Sequence, residues 1–177
     1  FRQLGIEPRV DEAGNIHARL EGEDPALPAI LTGSHLDTVP DGGKYDGVVG
    51  CVSGLEVVET LVENGRKLKH PLEVIVFTDE EGFRFGSGLL GSSAICGQEL
   101  DIKESDMDLY GNKRADVIKS YGIIVADAPK AKMEPKDVHC FMELHVEQGA
   151  SLYKSHTPIG IVSSIAGVSR YEIVITG

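Results

Sequence analysis

The stretch TGSHLDTVPDGGKYDGVVG, residues 32–50, contains one histidine, His35, and three aspartates, Asp37, Asp41 and Asp46. It is rich in glycine and follows a short apolar run. This pattern is typical of a strand that ends in a polar loop and leads into a helix. A histidine and three carboxylates in such a loop are either solvated or form half of a metal site.

Four apolar runs along the chain predict β-strands. They cover residues 15–20, 29–32, 72–78 and 140–144. The run at 72–78 is rich in β-branched residues and is flanked by predicted helices, which is typical of an α/β sheet with both faces covered. Alternating apolar residues at 159–162 and 170–176 predict further β structure. We therefore expect an α/β fold, a mixed sheet with helices on both faces.

One long helix is predicted from Gly47 to a helix stop at Asn64 and Gly65. Its apolar residues recur at steps of three and four and define the face expected to be buried, namely Val48, Val52, Leu55, Val58 and Leu61 or Val62. Shorter helices are predicted within 87–96 and 113–121.

Composition limits the classes of partner. The 177 residues have a hydrophobic fraction of 41%, a charged fraction of 25% and a net charge of −11. Without a run of Lys or Arg, this acidic balance argues against a nucleic-acid partner and suits cation binding. No apolar stretch approaches the roughly 18 residues of a membrane span. We expect a small-molecule partner rather than a nucleic acid or a membrane.

The three cysteines, Cys51, Cys96 and Cys140, are an odd number with wide spacings and no CxxC motif. They predict no disulfide framework and indicate a reducing compartment, the cytoplasm. Each stands among apolar or small residues, so we expect all three to be buried as small hydrophobic side chains.

Histidines or acids stand at the ends of three predicted strands. These residues are His35, Glu80, Glu81 and His145. Because the sites of open α/β sheets are built at the carboxyl ends of strands, we expect these side chains to converge. Imidazole together with carboxylate is the ligand mixture for Zn²⁺, Mn²⁺ or Co²⁺. Each residue alone has an ordinary alternative as a surface or hydrogen-bonded side chain, so the hypothesis depends on the whole set.

The carboxylates near these histidines have distinct expected roles. Asp46 lies at the start of the long helix, where backbone N–H groups favour a carboxylate. Asp37 follows His35 by two residues and can hold the imidazole N–H, which fixes its tautomer. Glu80 and Glu81 are adjacent and point in different directions, so one can bind a metal while the other faces a water molecule.

The chain resembles the amidase/hydantoinase/carbamoylase branch of the M20 metallopeptidase-like family in three motifs, GSHLDTVPDGGKYDGVVG, FTDEEGFRFGSGLLGS and ELHVEQG. N-carbamoyl-L-amino acid hydrolases and allantoate amidohydrolases belong to this branch. The likeness runs from about residue 4 to residue 177. It implies the N-terminal part of a zinc-peptidase-like catalytic domain.

The resemblance implies two divalent metal ions, Zn, Mn, Co or Ni, held by four side chains. His35 and His145 would bind one ion, Glu81 would bind the other, and Asp46 would bridge both. M20 peptidases proper more often have an acid at the position of His145. A histidine there therefore points to the amidohydrolase branch.

The resemblance also implies an activity. The enzyme would hydrolyse the carbamoyl or ureido C–N bond of N-carbamoyl-L-amino acids or of allantoate-like compounds. Glu80 would be the general base that activates a metal-bridging hydroxide. Asp37 would support the site as a second catalytic carboxylate, and Gln148 would lie close to the substrate.

Members of this branch are longer and carry a further metal-binding histidine and a dimer-forming lid domain. The other histidines here, none in a matching motif, are His17, His70, His139 and His156. We expect residues 1–170 to be the N-terminal part of the catalytic domain and residues 171–177 to begin the lid. The full-length parent is expected to be a homodimer, and this part alone is expected to be inactive.

Two alternatives stay open. One is an aminoacylase or dipeptidase of the same family, against which the EQG sequence after the last motif histidine argues. The other is an inactive partial domain or binding module, which the missing histidine favours. Against the second, a chain free of catalysis has no need to keep all five side chains, His35, Asp46, Glu80, Glu81 and His145, together.

Overall fold

A computed structural model describes the protein at residues 1–100, 102–167, 169, 171 and 173–177. The chain divides into two units, Phe1–Val146 and Glu147–Gly177. None of the helices in the described ranges is long and apolar enough to cross a membrane. The expected boundary between a catalytic part and a lid, after residue 170, stays a prediction.

The first unit contains five strands and three α-helices within the described residues. Its strands are β1 (Arg9–Val10), β2 (Ile16–Leu20), β3 (Ala29–His35), β4 (Leu72–Phe77) and β5 (Val138–Met142). Its α-helices are α1 (Val48–Glu63), α2 (Leu90–Ile95) and α3 (Arg114–Ser120). Short 3₁₀ turns lie at Arg2–Leu4, Val125–Ala131 and Pro135–Asp137, and the second unit contains a short helix, α4 (Ser151–Lys154).

The strands form one mixed sheet in the order β1-β2-β4-β3-β5. The pairs β1–β2 and β2–β4 are antiparallel, whereas β3 runs parallel to both β4 and β5. Because parallel strands point the same way, the carboxyl ends of β3, β4 and β5 lie at one edge of the sheet. The register pairs His35 with Phe77 at that edge. The expected mixed sheet is confirmed.

Helices cover both faces of β4. Leu72 and Val74 point to one face, where they pack with Val58 of α1. Ile75 points to the other face and packs with Ile95 of α2. Since side chains alternate along a strand, this division follows from the even and odd positions of β4. The expected helix layers on both faces are confirmed.

The long helix α1 forms where it was predicted, but its buried face is mostly a different one. The residues that α1 buries are Gly50, Cys51, Gly54 and Val58. Val52 is 55% exposed, and the other expected positions apart from Val58 are at most partly buried. A Cβ on Gly50 would lie 2.6 Å from the Cβ of Ser34, so glycine lets the helix backbone approach the sheet closely. The buried face of α1 is therefore set by the close approach of its backbone to the sheet rather than by the spacing of its apolar residues.

Several predicted strand boundaries are wrong. The strand expected at 29–32 extends to His35, and the one expected at 140–144 spans Val138–Met142. The strand expected at 159–162 is irregular and exposed. Of 170–176, Arg170 and Glu172 lie outside the described residues, and the others are not in a strand. An apolar segment becomes a strand only where a neighbouring strand takes up its backbone hydrogen bonds.

The cysteines only partly follow the expectation of burial. All three are free thiols, and Cys51 is buried against the sheet. Cys96 is exposed and Cys140 is only partly buried, so the expectation is wrong for these two. Cys96 lies at the end of the short helix α2, where the chain turns back toward solvent.

A buried polar network connects β2 with β4 and with the turn after β1. His17 is 2% exposed and donates through Nε2 to Asp11 at 3.0 Å and through Nδ1 to Glu73 at 2.7 Å. Arg9 and Arg19 also face Glu73, at 3.2 Å and 3.5 Å. An ionised carboxylate can only accept hydrogen bonds, so both ring nitrogens of His17 must donate and its imidazole is protonated.

The groups of this network hold one another in their charged forms. Burial alone lowers the pKa of His17, but the hydrogen bonds to Asp11 and Glu73 outweigh it, and the pKa is raised. Burial opposes ionisation of the two carboxyls, yet their hydrogen bonds with His17 leave both pKa values lowered. The network is therefore most stable at a pH where the imidazole is charged and the carboxyls are ionised.

We predict that His17→Gln lowers the free energy of unfolding by about 3 kcal/mol, because it leaves the buried Asp11 carboxylate without its cation and Glu73 with only the more exposed Arg9 and Arg19. The raised pKa of His17 makes its contribution complete below about pH 6.5, and the contribution is lost as pH rises through the folded pKa. The lowered pKa values of Asp11 and Glu73 make their contributions present above about pH 4, and these are lost as pH falls.

Thermal unfolding of both proteins between about pH 3 and pH 9 checks this prediction. The gap in Tm between wild type and variant should be largest at about pH 4.5–6.5 and should narrow on both sides. A gap that stays constant across the range would contradict the charged network.

A second prediction tests the glycine face of α1. Gly50→Ala should destabilise the fold by about 1–3 kcal/mol, because the new methyl group would collide with Ser34. Val52→Ser, on the exposed side of the same helix, should change stability by less than about 0.5 kcal/mol. Urea unfolding of the two variants measures both values. Equal losses would mean that the buried face has been misassigned.

Candidate metal centre

The residues expected to converge do so at the carboxyl edge of the sheet. His35 is the last residue of β3, Glu80 and Glu81 follow β4, and His145 follows β5. Asp46 lies just before α1, which returns across β3. The parallel direction of the three strands is what brings these residues to one place.

One group of possible ligands consists of His35, Asp46 and His145. One ligand atom from each lies within 4.8 Å of the others. His145 Nε2 is 3.2 Å from Asp46 Oδ1, and the ring centroids of His35 and His145 are 6.1 Å apart. The His35 side chain is 4% exposed and that of His145 is 28% exposed, so the group opens to solvent on the His145 side.

A second group consists of His35, Glu80 and Glu81, again with ligand atoms within 4.8 Å of one another. His35 Nε2 is 3.5 Å from Glu80 Oε2. Burial raises the pKa of Glu80; His35 opposes this shift, while the negative charges of Glu81, Asp37 and Asp46 add to it. Carboxylates crowded around an imidazole form a donor set that a divalent cation fits in charge and ligand type.

Both imidazoles present the same nitrogen to the site. His35 Nδ1 lies 2.9 Å from the carbonyl oxygen of Asp37, and His145 Nδ1 lies 3.0 Å from that of Val146. A carbonyl oxygen only accepts, so each Nδ1 carries the proton and donates. In the neutral imidazole each Nε2 then carries the lone pair, which is the form of histidine that binds metal.

Asp37 supports the site mainly through the backbone of the neighbouring turn. Its carboxylate accepts hydrogen bonds from the N–H of Glu80 at 3.2 Å and of Glu81 at 2.9 Å. Its Oδ1 is 3.6 Å from His35 Nδ1, which is too long for a hydrogen bond. The sequence had suggested that the Asp37 carboxylate holds the imidazole, but the main-chain carbonyl of Asp37 holds it instead.

Gly47 makes the turn between Asp46 and α1 possible. Its φ is +65°, in the left-handed region that glycine adopts without cost. A Cβ at this position would lie 2.5 Å from the carbonyl oxygen of His35 and 2.6 Å from its ring. The glycine of the YDG motif thus allows the helix to begin directly against the buried imidazole.

Arg114 is a residue of this region that sequence analysis missed. Its side chain is 1% exposed, donates to Ser87 Oγ at 2.8 Å and lies 3.7 Å from Asp79 Oδ2. Asp79 has a φ of +50° and directly precedes Glu80. Burial raises the pKa of Asp79 although Arg114 opposes the shift. Nothing in the polar helix α3 distinguishes Arg114 from a surface residue by sequence.

The remaining predicted residues lie elsewhere. Gln148 belongs to the second unit, and its role near a substrate stays a prediction. Among the other histidines, His17 is part of the buried network, and His70 stacks on His139 with ring centroids 4.1 Å apart. Neither of these positions places an imidazole in the two ligand groups described above.

The sequence model of peptidase family M28 matches residues 15–130. The N-carbamoyl-L-amino acid amidohydrolase of Geobacillus stearothermophilus is 40% identical over 177 residues, covering 100% of this chain and 43% of that protein. Allantoate deiminase 1 of Glycine max is 39% identical over 185 residues, covering 100% of this chain and 38% of that protein.

A solved structure of a hydantoinase/carbamoylase family amidase from Burkholderia ambifaria is 37% identical, with a TM-score of 0.76. It covers 88% of this chain and 37% of the solved chain. These relatives confirm the hydantoinase/carbamoylase relationship and the α/β fold expected from the motifs, and the matching family model carries the M28 rather than the M20 label. The chain spans less than half the length of the relatives it matches.

The shared position of His35 gives a direct test. We predict that His35→Ala weakens binding of Zn²⁺ or Co²⁺ at least as much as His145→Ala or Glu81→Ala, because His35 belongs to both groups. Each loss should exceed the roughly 10–100-fold effect of removing an outer-shell partner. Isothermal titration calorimetry of the four proteins measures the affinities, and the exposed His156→Ala is the matched control. Equal affinities for wild type and His35→Ala would contradict the site.

Proposed function

The chain belongs to peptidase family M28, and we propose that it carries the catalytic residues of a two-metal amidohydrolase. The proposed reaction is hydrolysis of the carbamoyl or ureido C–N bond of N-carbamoyl-L-amino acids or allantoate-like compounds. The observation that carries the proposal is the convergence of His35, Asp46, Glu80, Glu81 and His145 on one edge of the sheet. The names of two relatives with 40% and 39% identity support the substrate class.

Four side chains would hold the metal ions in this proposal: His35, Asp46, Glu81 and His145. When bound, divalent ions such as Zn²⁺, Mn²⁺, Co²⁺ or Ni²⁺ would polarise the substrate carbonyl and lower the pKa of water. The Nδ1 atoms of His35 and His145 are held by main-chain carbonyl oxygens, which leaves each Nε2 as the atom that would bind an ion. The neutral imidazoles would need no change of tautomer to do so.

Glu80 is the proposed general base. Its carboxylate takes a proton from the attacking water molecule and returns it to the nitrogen of the leaving group. Burial raises the pKa of Glu80, which brings it closer to the neutral range where such a proton transfer is efficient. Glu80 Oε2 lies 3.5 Å from His35 Nε2, so the base stands beside the ligand set.

Asp37 is proposed to keep Glu80 in place without touching the substrate. It accepts the N–H groups of both Glu80 and Glu81. Two hydrogen bonds to consecutive amides fix the backbone from which both carboxylates extend. A shift of about 1 Å in such a group is enough to slow a reaction by about 100-fold.

The finer parts of the proposal concern the whole protein. We infer a homodimeric enzyme that works in the cytoplasm, with Gln148 near the substrate. The runner-up activity is an aminoacylase or dipeptidase, which would cleave an amide rather than a carbamoyl bond. For the chain alone, the inactive partial domain remains the alternative, because it covers 43% of its amidohydrolase relative.

We predict that Glu80→Gln, placed in the longer protein that the resemblance implies, lowers kcat by about 10²–10⁴-fold. Its affinity for metal should change little, because the amide keeps the shape of the side chain and the ligands remain. Glu63→Gln, at the exposed end of α1, is the matched control and should keep full activity. Rates and metal content are measured on the same samples. Undiminished turnover in Glu80→Gln would remove this residue as the base.

The same assay separates the alternatives. Release of ammonia from N-carbamoyl amino acids or allantoate supports the amidohydrolase, whereas cleavage of N-acyl amino acids or dipeptides alone supports the runner-up. The third outcome is that the wild-type chain binds Zn²⁺ but turns over none of these compounds, whereas the longer protein does turn them over. That outcome supports the inactive partial domain.

A further inference from the structure

Glu80 and Glu81 lie on a segment whose ends meet beside the sheet. The chain leaves β4 after Phe77 and comes back to the end of that strand at Gly91, the second residue of α2. Gly91 N–H donates to Thr78 O at 2.9 Å, and Leu89 N–H donates to Glu80 O at 2.9 Å. The segment therefore forms a closed loop, and whatever fixes its base also fixes the turn that carries the glutamates.

The side chain of Asn15 binds both ends of this loop. Its Oδ1 accepts from the N–H of Thr78 at 3.0 Å, and its Nδ2 donates to the carbonyl oxygen of Gly91 at 3.2 Å. The second Nδ2 proton is donated to Asp11 Oδ2 at 2.8 Å. A flipped amide would set its N–H against that of Thr78 and its oxygen against a carboxylate. The orientation of Asn15 is therefore fixed.

Asn15 takes the place of a missing strand partner. Pairing between β2 and β4 begins at Ile16 opposite Val76, so Thr78 extends past the end of the ladder. A partly buried backbone N–H without an acceptor destabilises the structure around it. The Asn15 carboxamide supplies that acceptor at the point where β4 becomes the loop.

The position of Asn15 is rigid. Its side chain is fully buried, and its own N–H donates to Asp11 Oδ1 at 2.8 Å. A Cβ on Gly91 would lie 1.9 Å from Asn15 Oδ1, so only glycine leaves room for the amide. Asp11 in turn is held by His17, which ties the contact to the buried network.

We propose that Asn15 is a positioning residue for Glu80 and Glu81. It fastens the base of their loop, while Asp37 holds their amides from the other side. The catalytic meaning of this inference rests on the proposed function, but the mechanical part does not. Without the carboxamide, Thr78 loses its acceptor, the loop opens at its base, and the two carboxylates no longer share one position with His35.

Hydrogen exchange of the metal-free chain tests the mechanical part. In wild type, the Thr78 amide should exchange as slowly as those of β4. In Asn15→Ala, amides within residues 78–91 should exchange at least about 10-fold faster, with little change in β3 and β5. His17→Gln is the matched control, because it disrupts the other end of the same network without touching the loop. His17→Gln should lower global stability, but the amides of residues 78–91 should then exchange no faster than those of the strands.

Zinc titration supplies the second readout. Asn15→Ala should weaken Zn²⁺ binding by about 10-fold, whereas His17→Gln, compared well below its melting temperature, should bind as wild type does. Equal losses in both variants would overturn the inference and make the effect one of general stability. Fast exchange of the Thr78 amide in wild type would overturn it as well, and that measurement needs no variant. If wild type binds no metal, the proposed function fails while hydrogen exchange still decides the role of Asn15.

Discussion

The parallel pairing of β3 with both β4 and β5 is the constraint on which the site depends. It sends three strands out of the sheet at one edge, so that His35, the pair Glu80 and Glu81, and His145 emerge side by side. Reversing any one of these strands would carry its polar end to the opposite edge. The antiparallel strands β1 and β2 contribute no ligand, and their part is to support β4 from the other side.

Support from the β2 side is needed because the turn at residues 79–81, which carries three acidic side chains, is energetically unfavourable. Asp79 has a positive φ and a carboxyl group whose pKa is raised by burial. The two glutamates that follow repel each other and Asp37. Arg114 offsets part of this charge, and Asp37 and Asn15 hold the backbone by accepting hydrogen bonds from its N–H groups. Such strain is typical of functional sites, where the surrounding structure determines a conformation that the segment would not adopt alone.

The sequence revealed the parts of the site that follow from chain order. A histidine or an acid directly after an apolar strand is visible in one dimension, and the parallel direction of the strands then brings these residues together. Contacts between distant segments were not visible. Asn15 and Arg114 look like ordinary turn and helix residues, and the hydrogen bonds of Asp37 to two amides 43 and 44 residues away leave no local pattern.

The fold was predictable to a similar degree. Its prediction failed where the structure depends on contacts between segments that are distant in sequence. The type and order of the main strands and of α1 followed from periodicity, whereas the buried face of α1 did not. The apolar Val52 is predicted to be buried, but Gly50 and Gly54 are the residues that contact the sheet. The helix backbone can approach the sheet this closely only because glycine has no side chain. Among the described residues after 158 the expected β structure does not form, because a strand depends on a partner that periodicity cannot supply.

The tautomer of His35 has a consequence for ion occupancy. With Nδ1 held by a carbonyl oxygen, the imidazole has a single lone pair, which binds one ion at a time. The two ligand groups that share His35 therefore compete for it. An ion held by one group would leave the other, within the described residues, with two donors where zinc usually takes four. Two ions would then bind with unequal affinity, the second more weakly than the first.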